Sequence, residues 1–280
     1  MKLASYIVEG NRAFGVVVGD QVVTVSKHLG AKYPTLRSAL EAGGLDEIRR
    51  VAAAARPDHK LSDLRFLPVI PDPPKILCAG LNYRSHVAET GREMPTKPSM
   101  FLRMTNTLLG HEGTMLRPSV SVQFDFEGEL AVIIGRAGRH VPAERALDYV
   151  AGYTCFNDGS VRDFQKISIT GGKNFPASAP LGPWMVTADE VPDPSKLTLV
   201  TRLNGNEVQH STTDLLIYSV PTIISYVSDF TTLEPGDVIA TGTPEGVGHK
   251  RTPPLWMKAG DVVEVEISGI GTLRNRVEDE

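Results

Sequence analysis

The sequence has little cysteine, no surplus of positive charge and no long apolar run. Its two cysteines, Cys78 and Cys155, are far apart and form no CxxC pair, which favours a reducing, cytoplasmic setting over a disulfide framework. The net charge is −4 and the lysines and arginines are scattered, so the pattern predicts no nucleic-acid surface. No 18-residue apolar stretch and no signal-peptide pattern occur, so we expect neither a membrane span nor secretion.

What is present is an ordinary globular composition with many short strand signals. The chain has 280 residues, of which 41% are hydrophobic and 22% charged, enough to bury a sizeable core. Runs rich in valine and isoleucine at 2–7, 12–18 and 21–25 predict a three-stranded meander. Thr35 is a candidate cap for a helix that extends to Ala42.

Prolines between residues 67 and 74 interrupt every regular pattern, because proline lacks the backbone donor and restricts its neighbour. We therefore expect a small N-terminal domain at 1–70 and a larger domain at 71–280. Strand signals dominate the larger domain and only a few helices are inserted. This predicts a β-rich α+β fold rather than a regular series of βαβ units.

Residues 124–135 combine three acidic side chains with an apolar run. In a strand, Asp125, Glu127 and Glu129 would share one face, and neighbours on that face lie roughly 6.5–7 Å apart. Two such carboxylates can reach one ion, and oxygen ligands favour Mg²⁺, Mn²⁺ or Ca²⁺ over zinc or copper. The alternative is a solvated acidic strand face without an ion.

Two further places could supply catalytic or ligating groups. His86 and Glu89 are three residues apart on a predicted helix that ends at Gly91, and a carboxylate beside histidine fixes its tautomer and raises its basicity. The alternative is a surface pair. Asp158 follows a predicted strand at 152–156 and is a candidate third ligand, although an aspartate before glycine is also typical of a plain turn.

Three other features remain open from the residues alone. A predicted helix beginning near Ser160 places Arg162 and Gln165 on one face. Lys173 lies in a predicted glycine-containing loop, where lysine is commonly solvated. The glycine-rich loop at 241–248 matches neither the Walker A nor the Rossmann pattern, so it does not indicate a nucleotide site.

Taken in order, these motifs closely resemble the fumarylacetoacetate hydrolase family from about Lys75 to the C-terminus. Each motif alone is weak evidence, whereas the ordered set is specific. The motifs are Gly80-Leu81-Asn82-Tyr83 with His86 and Glu89, Asp125-x-Glu127-x-Glu129, Asn157-Asp158 with Arg162-Asp163 and Gln165, Gly172-Lys173, Asn204-Gly205, and Gly242-Thr243-Pro244-x-Gly246-Val247-Gly248.

The resemblance implies a mixed β-sandwich roll with a small N-terminal α/β domain, assembled as a homodimer. It implies a bound Mg²⁺, with Mn²⁺ or Ca²⁺ as alternatives. The implied metal ligands are Glu127, Glu129 and Asp158. The implied catalytic residues are His86, Glu89 and Lys173. The implied supporting or substrate-contacting residues are Asp125, Arg162, Gln165, Thr243 and Arg103. At Arg103 many family members have lysine, and arginine is a planar fork rather than a point charge.

The resemblance also implies a reaction on a small 2-oxo acid. The first expectation is hydrolysis of a carbon–carbon bond in a 1,3-diketo acid, such as maleylpyruvate or fumarylpyruvate from aromatic-compound catabolism, to pyruvate and a second acid. His86, oriented by Glu89, would activate the water. Alternatives on the same site are decarboxylation of an oxaloacetate-like acid and isomerisation or hydration of a 2-hydroxydienoate. A metal-stabilised binding protein without turnover is the non-enzymatic alternative.

Overall fold

A computed structural model describes residues 1–280, and strands predominate in it. The strands are β1 (Lys2–Val8), β2 (Asn11–Val18), β3 (Gln21–Val23), β4 (His59–Lys60), β5 (Arg65–Phe66), β6 (Ile76–Gly80), β7 (Ser99–Arg103), β8 (Leu108–Leu109), β9 (Thr114–Arg117), β10 (Phe124–Asp125), β11 (Gly128–Ile134), β12 (Val150–Asn157), β13 (Ser160–Val161), β14 (Ala179–Thr187), β15 (Thr198–Leu203), β16 (Asn206–Thr212), β17 (Val238–Ala240), β18 (Val262–Ile267) and β19 (Gly271–Asp279).

The helices are few and short. They are α1 (Ser26–Leu29), α2 (Leu36–Glu41), α3 (Leu45–Ala54), α4 (Arg84–Thr90), α5 (Arg162–Gln165), α6 (Ile169–Lys173) and α7 (Val220–Phe230). Single turns of 3₁₀ helix lie at Leu61–Asp63, Thr105–Thr107, Ala188–Glu190, Thr213–Leu215 and Gly248–Lys250, with a longer one at Ala143–Tyr149. The longest helix, α7, has 11 residues, and no helix is long and apolar enough to span a bilayer.

The strands form two large sheets and one isolated pair. The larger sheet has the order β4-β3-β2-β1-β14-β12-β11-β17-β6-β7, with β5 beside β1 and β8 beside β14. The five-stranded sheet has the order β16-β15-β18-β19-β9, and its strands pack on β11, β12 and β14. The remaining two strands, β10 and β13, pair only with each other.

The central strand β11 is buried on both faces. Leu130 and Val132 belong to the core between the two sheets, which also takes in α7, whereas Ala131 and Ile133 belong to the core on the opposite face, under α2 and α3. A strand covered on both faces needs apolar residues at successive positions. This explains the continuous apolar run that follows Glu129.

The predicted local elements are confirmed in the N-terminal part. The three strands of the meander are β1, β2 and β3, although β3 ends at Val23 and not at residue 25. Thr35 caps α2 as expected: its side chain accepts a hydrogen bond from the Ser38 amide, and the Ser38 hydroxyl accepts one from the Thr35 amide. This reciprocal capping satisfies two amides that the helix leaves free.

The N-terminal strands also join the larger sheet. β1 pairs antiparallel with β14, with Lys2 opposite Val186 and Leu3 opposite Met185. The N-terminal residues Leu3 and Phe14 therefore share a core cluster with residues of β14. The division into domains at residue 70 stays a prediction.

The order of the central strands brings four chain segments to one edge. β11 is antiparallel to β12 and to β17, so its first residues lie beside the last residues of both. β6 is parallel to β17 and ends at the same edge, where it leads into α4. The start of β11, the end of β12, the loop after β17 and α4 therefore surround one space.

Candidate metal centre and active site

The acidic row does not lie on one continuous strand, which corrects the sequence expectation for 124–135. β10 ends at Asp125 and pairs with β13, and β11 begins only at Gly128 in the larger sheet. Between them, the Glu127 amide donates to Asn157 Oδ1 (3.0 Å), and the Glu127 carbonyl accepts from the Asp158 amide (2.8 Å). The chain is passing from one sheet to another here, so side-chain bonds replace part of the regular ladder.

Three carboxylates nevertheless converge at this edge. Glu127, Glu129 and Asp158 each offer an oxygen atom, and these atoms lie within 4.8 Å of one another. The residues are 6%, 2% and 1% exposed, so the alternative of a solvated acidic face is wrong. Glu127 directly precedes β11, Glu129 is its second residue, and Asp158 directly follows β12, where the sequence placed it.

Asp125 does not belong to this cluster and instead holds the glycine-rich loop. Its two oxygens accept from the Gly248 amide (2.7 Å), the His249 amide (3.0 Å) and Arg162 Nε (2.8 Å). Burial tends to raise the pKa of Asp125, but Arg162 and His249 outweigh burial and lower it. Asp125 therefore supports the site through Arg162 and the loop.

Glu127 is held by two buried cations. Arg162 Nη2 lies 2.6 Å from one of its oxygens, and Lys173 Nζ bonds the other. Burial alone would raise the pKa of Glu127, but the charges of Arg162 and Lys173 prevail and hold it well below the usual value. These two cations therefore favour the ionised form of Glu127.

Glu129 has the opposite environment. Its only hydrogen bond is from the Gly242 amide (2.8 Å), and no lysine, arginine or histidine pairs with it. Burial and the negative charges of Asp158 and Glu127 raise its pKa well above the usual value. A buried carboxylate without a counter-ion is costly, and a cation bound beside it would remove that cost. The all-oxygen donor set fits a hard divalent ion.

Lys173 closes the third side of the cluster, at the end of α6 rather than in the predicted loop. It is 1% exposed, and its Nζ contacts the Asp158 carboxylate (2.5 Å), the Asp158 carbonyl (3.1 Å) and Glu127. Burial would lower the pKa of Lys173, but the charges of Asp158 and Glu127 raise it, so the ammonium form persists. The alternative of a solvated lysine, which the residues alone left open, is wrong.

A glycine next to Lys173 makes this placement possible. A Cβ at Gly172 would lie 2.4–2.6 Å from Gln165 atoms, including its backbone, so α5 and α6 can approach only with glycine there. Gln165 accepts from Arg162 Nη1 (2.8 Å) and lines the same cavity, as the predicted shared face of Arg162 and Gln165 requires.

Arg103 lies behind Asp158 rather than in the cavity. Its side chain is fully buried and bonds the Asp158 carboxylate, the Gly159 carbonyl (3.1 Å) and Ser178 Oγ (2.5 Å). The planar fork of arginine serves several acceptors at once. Arg103 thus orients a candidate ligand and makes no contact with the cavity, so a direct substrate contact is not what the geometry supports.

Thr243 and Gln209 fix the backbone between Glu127 and Glu129. The sequence did not indicate Gln209. Thr243 Oγ1 donates to the Gly128 carbonyl (3.0 Å) and accepts from Gln209 Nε2 (2.8 Å), while Gln209 Oε1 accepts from the Gly128 amide (2.9 Å). Side chains therefore fix both the backbone N–H and the backbone C=O of Gly128, which lies between Glu127 and Glu129. A Cβ at Gly128 would lie 2.1 Å from Thr201 Oγ1 in β15, so only glycine fits.

His86 faces the cluster from α4, and Glu89 of the same helix holds it. His86 Nδ1 lies 3.1 Å from Glu89 Oε2, and Glu89 Oε1 accepts from the Gly246 amide (2.9 Å). The alternative of a surface pair is wrong, because His86 is 6% exposed and lines the cavity together with the three carboxylates. Since Nδ1 is engaged by Glu89, Nε2 is the nitrogen left for a water or a substrate.

The cavity bounded by these groups has a volume of about 270 Å³. Sequence reasoning missed several residues that line it: Thr90, Arg92, Lys166, His249 and Lys250. Most of them lie in short segments that directly follow a recognised motif, which is the only signal that could have indicated them.

The fold and this cluster define a strand-rich α+β protein whose cavity combines a possible metal site with a histidine–carboxylate pair. The chain belongs to the fumarylacetoacetate hydrolase family: the family model described as "Fumarylacetoacetate (FAA) hydrolase C-terminal" matches residues 75–278. The sequence resemblance is thereby confirmed, and so is the fold class.

Individual relatives have different reactions in their names. The mitochondrial oxaloacetate tautomerase Fahd2a of Rattus norvegicus is 38% identical over 93% of this chain and 85% of its own length. The structure of a 2-hydroxyhepta-2,4-diene-1,7-dioate isomerase from Mycobacterium marinum has a TM-score of 0.78 at 32% identity and covers 100% of this chain and 99% of that one. A maleylpyruvate hydrolase from Sphingobium sp. SYK-6, in complex with manganese(II) and pyruvate, has a TM-score of 0.84 at 29% identity and the same coverage.

These relatives are enzymes: a tautomerase, an isomerase and a hydrolase. The family is therefore established, whereas the particular reaction differs among its members. One of them binds manganese, and the buried triad of this chain could hold a metal ion.

Proposed function

We propose that the protein is a metal-dependent hydrolase that cleaves an acylpyruvate-type 1,3-diketo acid, such as maleylpyruvate or fumarylpyruvate, to pyruvate and a second carboxylic acid. The observation that carries this proposal is the position of His86. Its Nδ1 is held by Glu89 at 3.1 Å, and it lines the same cavity as Glu127, Glu129 and Asp158. A base and a charge-stabilising centre thus face one small volume.

Glu127, Glu129 and Asp158 are the residues that would hold the ion, which we propose to be Mg²⁺, with Mn²⁺ or Ca²⁺ as alternatives. Three carboxylates are suited to a hard cation, and the unpaired Glu129 is the strongest sign of one. When bound, such an ion acts as a Lewis acid that stabilises negative charge on a substrate oxygen.

The residues of the chain account for the remaining steps. His86 accepts a proton from water through Nε2, while Glu89 stabilises the resulting imidazolium. The hydroxide oxygen bonds to the carbonyl carbon farther from the 2-oxo acid, the carbon–carbon bond breaks, and its electron pair stays with the pyruvate fragment. A proton from His86 then completes pyruvate, and the Lys173 ammonium stabilises the negative charge that develops in between.

A second candidate is keto–enol tautomerisation of oxaloacetate, which is favoured by the rat relative's similarity over 93% of this chain. That reaction moves a proton between C3 and the 2-oxo oxygen and breaks no carbon–carbon bond. The His86–Glu89 pair could act there without an attacking water. The two candidates therefore share a site and differ in their products.

The test is to incubate the Mg²⁺-loaded protein with acetylpyruvate, maleylpyruvate, fumarylpyruvate, oxaloacetate and a 2-hydroxydienoate. Loss of enol absorbance is followed and the products are identified. Pyruvate with a second acid supports the hydrolase. Faster loss of the oxaloacetate enol without pyruvate or CO₂ supports the tautomerase, CO₂ release indicates a decarboxylase, and rearrangement of the dienoate indicates an isomerase. Turnover of none of them contradicts an enzymatic role on these acids.

The role of the histidine is tested by His86→Gln and Glu89→Gln. We expect the first to lower kcat about 10²–10³-fold, as for loss of a general base, and the second about 10–100-fold, as for loss of a group that orients it. Metal content by atomic emission should stay at the wild-type value in both. His86→Gln with wild-type kcat would remove His86 from the mechanism.

We also propose a homodimer, from the family resemblance, and a cytoplasmic location, from the cysteine usage. Each chain has a mass of 30.3 kDa, so light scattering on the eluting protein distinguishes one chain from two. The rat relative is named mitochondrial, so localisation of a tagged full-length protein in its own cell is the matching test.

A further inference from the structure

A β-bulge in the five-stranded sheet brings a buried side chain against the proposed metal site. Thr201 of β15 lies opposite Gln209 of β16, but the register shifts at the next pair, which leaves Val208 without a residue opposite. A bulge bends its strand and re-aims the side chains beside it. Gln209 is 2% exposed, does not line the cavity, and has no part in the proposed mechanism. Its side-chain amide nevertheless forms hydrogen bonds to two segments that build the site.

Gln209 holds the backbone between the two proposed glutamate ligands. Its Oε1 accepts from the Gly128 N–H (2.9 Å), and its Nε2 donates to Thr243 Oγ1 (2.8 Å) and to the Pro244 carbonyl (3.0 Å). Thr243 Oγ1 in turn donates to the Gly128 carbonyl (3.0 Å). The peptide groups on either side of Gly128 set the spacing of the two glutamates. One side chain therefore restrains that spacing at both ends, directly and through Thr243.

The glycine-rich loop extends this restraint to the histidine–carboxylate pair. The Gly242 N–H donates to Glu129 Oε2 (2.8 Å), and the Gly246 N–H donates to Glu89 Oε1 (2.9 Å). The two loop residues that accept from Gln209 lie between these two amides. Gln209 therefore holds the middle of a segment whose one end positions a proposed ligand and whose other end positions the carboxylate that orients the proposed base.

The extra residue of the bulge contacts the same loop. A Cβ at Gly246 would lie 2.3 Å from the Val208 carbonyl oxygen, and the φ of +95° at Gly246 also favours glycine. Arg251 joins the two residues, because it donates from Nε to the Gly246 carbonyl (3.1 Å) and from Nη2 to the Val208 carbonyl (2.5 Å). The bulge is thus fixed to the loop beside the amide that bonds Glu89.

We propose that Gln209 is a positioning residue for both parts of the site. It sets the spacing of Glu127 and Glu129. Through the glycine-rich loop it also places Glu89 for its contact with His86. The part that concerns Glu89 rests on the proposed function, whereas the part that concerns the ligands requires only that the site binds a metal ion. Because the side chain acts through the backbone, its loss should weaken metal binding and impair the base without removing a substrate contact.

The first experiment measures metal affinity and needs no turnover. Gln209→Met removes the hydrogen bonds and keeps a side chain of similar length. Electron paramagnetic resonance of free Mn²⁺, in titrations of the metal-free proteins, gives the Kd. We expect Gln209→Met to raise the Kd for Mn²⁺ about 10–100-fold, as for loss of a group that orients metal ligands. An unchanged Kd would overturn the role of Gln209 at the ligands.

Two smaller changes control this measurement. Thr201→Val is the matched control, since Thr201 lies opposite Gln209, packs against Gly128, and has a buried hydroxyl without a hydrogen-bond partner. Its Kd should stay within about twofold of wild type, and a rise as large as that of Gln209→Met would contradict the proposal. Thr243→Val removes only the link through that hydroxyl and should raise the Kd about 3–10-fold. Urea titration shows which variants fold, and if Gln209→Met does not, a wild-type Kd in Thr243→Val overturns the role.

The second experiment is a double-mutant cycle on kcat for the best substrate at saturating Mg²⁺. Gln209→Met should lower kcat about tenfold and change KM less than about threefold. In the Glu89→Gln background the same change should lower kcat by no more than about a further twofold, because the group that Gln209 places is already lost. A purely structural loss would lower kcat by the same factor in both backgrounds. That additive outcome would overturn the role of Gln209 toward Glu89.

The two proposals fail separately. If Gln209→Met weakens Mn²⁺ binding but no compound is turned over, the hydrolase proposal fails and the role of Gln209 at the ligands stands. If acylpyruvates are cleaved but Gln209→Met changes neither the Kd for Mn²⁺ nor kcat, the hydrolase stands and the positioning role fails.

Discussion

Glu127 and Glu129 are two residues apart, of the same residue type and both buried, yet their surroundings are opposite. Glu127 is held by Arg162 and Lys173, and its pKa is lowered despite burial. Glu129 has a single backbone amide, and burial with the charges of Asp158 and Glu127 raises its pKa. One carboxylate is stabilised by the protein itself, and the other lacks a positive partner. The negative charge of Glu127 is thus balanced by protein side chains, whereas that of Glu129 would be balanced by a bound cation.

The largest expected effect is one in which the two residues behave alike. Glu127→Gln and Glu129→Gln should each lower turnover of the best substrate about 10³-fold, because both carboxylates are proposed ligands of the same ion. Metal stoichiometry by atomic emission after desalting should fall in both. The matched control is Glu245→Gln, a change in the neighbouring glycine-rich loop outside the proposed ligand set. Full metal content in Glu129→Gln would remove that residue from the site.

Without metal, substitution of the two residues should change the free energy of unfolding in opposite directions. Glu127→Gln leaves Arg162 and Lys173 buried beside a neutral amide and should lower the free energy of unfolding by about 3 kcal/mol. Glu129→Gln removes a carboxyl group whose raised pKa costs stability at neutral pH, whether it stays charged or takes up a proton, and should raise the free energy of unfolding by about 1 kcal/mol. Urea titration of the EDTA-treated proteins, with equal m-values required, measures both. A decrease of similar size in both variants would show that the environments do not differ as described.

Addition of metal should then make the wild-type protein more stable than Glu129→Gln. At a Mg²⁺ concentration of about 100 Kd, the free energy of unfolding of the wild-type protein should rise by about 2.7 kcal/mol. Glu129→Gln should gain almost nothing, because its binding site is lost. The measurement is the same urea titration with and without Mg²⁺, and the chloride concentration is held constant with NaCl. An equal gain in the variant would place the ion elsewhere.

The smallest effect concerns the residue behind Asp158. Arg103→Lys keeps the positive charge but cannot bond Asp158, Gly159 and Ser178 at once, so we expect a loss of about 1 kcal/mol in stability and a kcat within about tenfold of wild type. Arg117→Lys, in an exposed pair with Asp279, should change neither. If Arg103→Lys lost as much activity as Glu129→Gln, Arg103 would be part of the catalytic machinery.

Much of this site could be read from local patterns. The i, i+2 spacing of Glu127 and Glu129, the i, i+3 spacing of His86 and Glu89, and the position of Asp158 after a strand all indicated groups that the structure brings together. Four of them line one cavity, and Glu89 bonds His86. Each of these signals lies within a few residues of chain. Strand and helix periodicity act at that range, so sequence reasoning detects them.

The missing parts depend on contacts between distant segments. Gln209 fixes the amide of Gly128 from a position 81 residues away, and nothing in the hairpin around Asn204-Gly205 indicates that role. Lys173 was expected in a solvated loop because its own neighbours are glycines, whereas two carboxylates from other strands bury it. The break between β10 and β11 likewise arises because β10 pairs with β13 and β11 with β12.

The close approach at Gly128 has a consequence for how this protein can change over generations. Because Thr201 Oγ1 fills the space that a Cβ at residue 128 would occupy, these two positions cannot vary independently. A larger residue at 128 would require a smaller one at 201, or β15 would be displaced and the spacing of Glu127 and Glu129 would change with it. The second sheet, which supplies none of the three carboxylates, thereby constrains the mutational paths open to the proposed metal site.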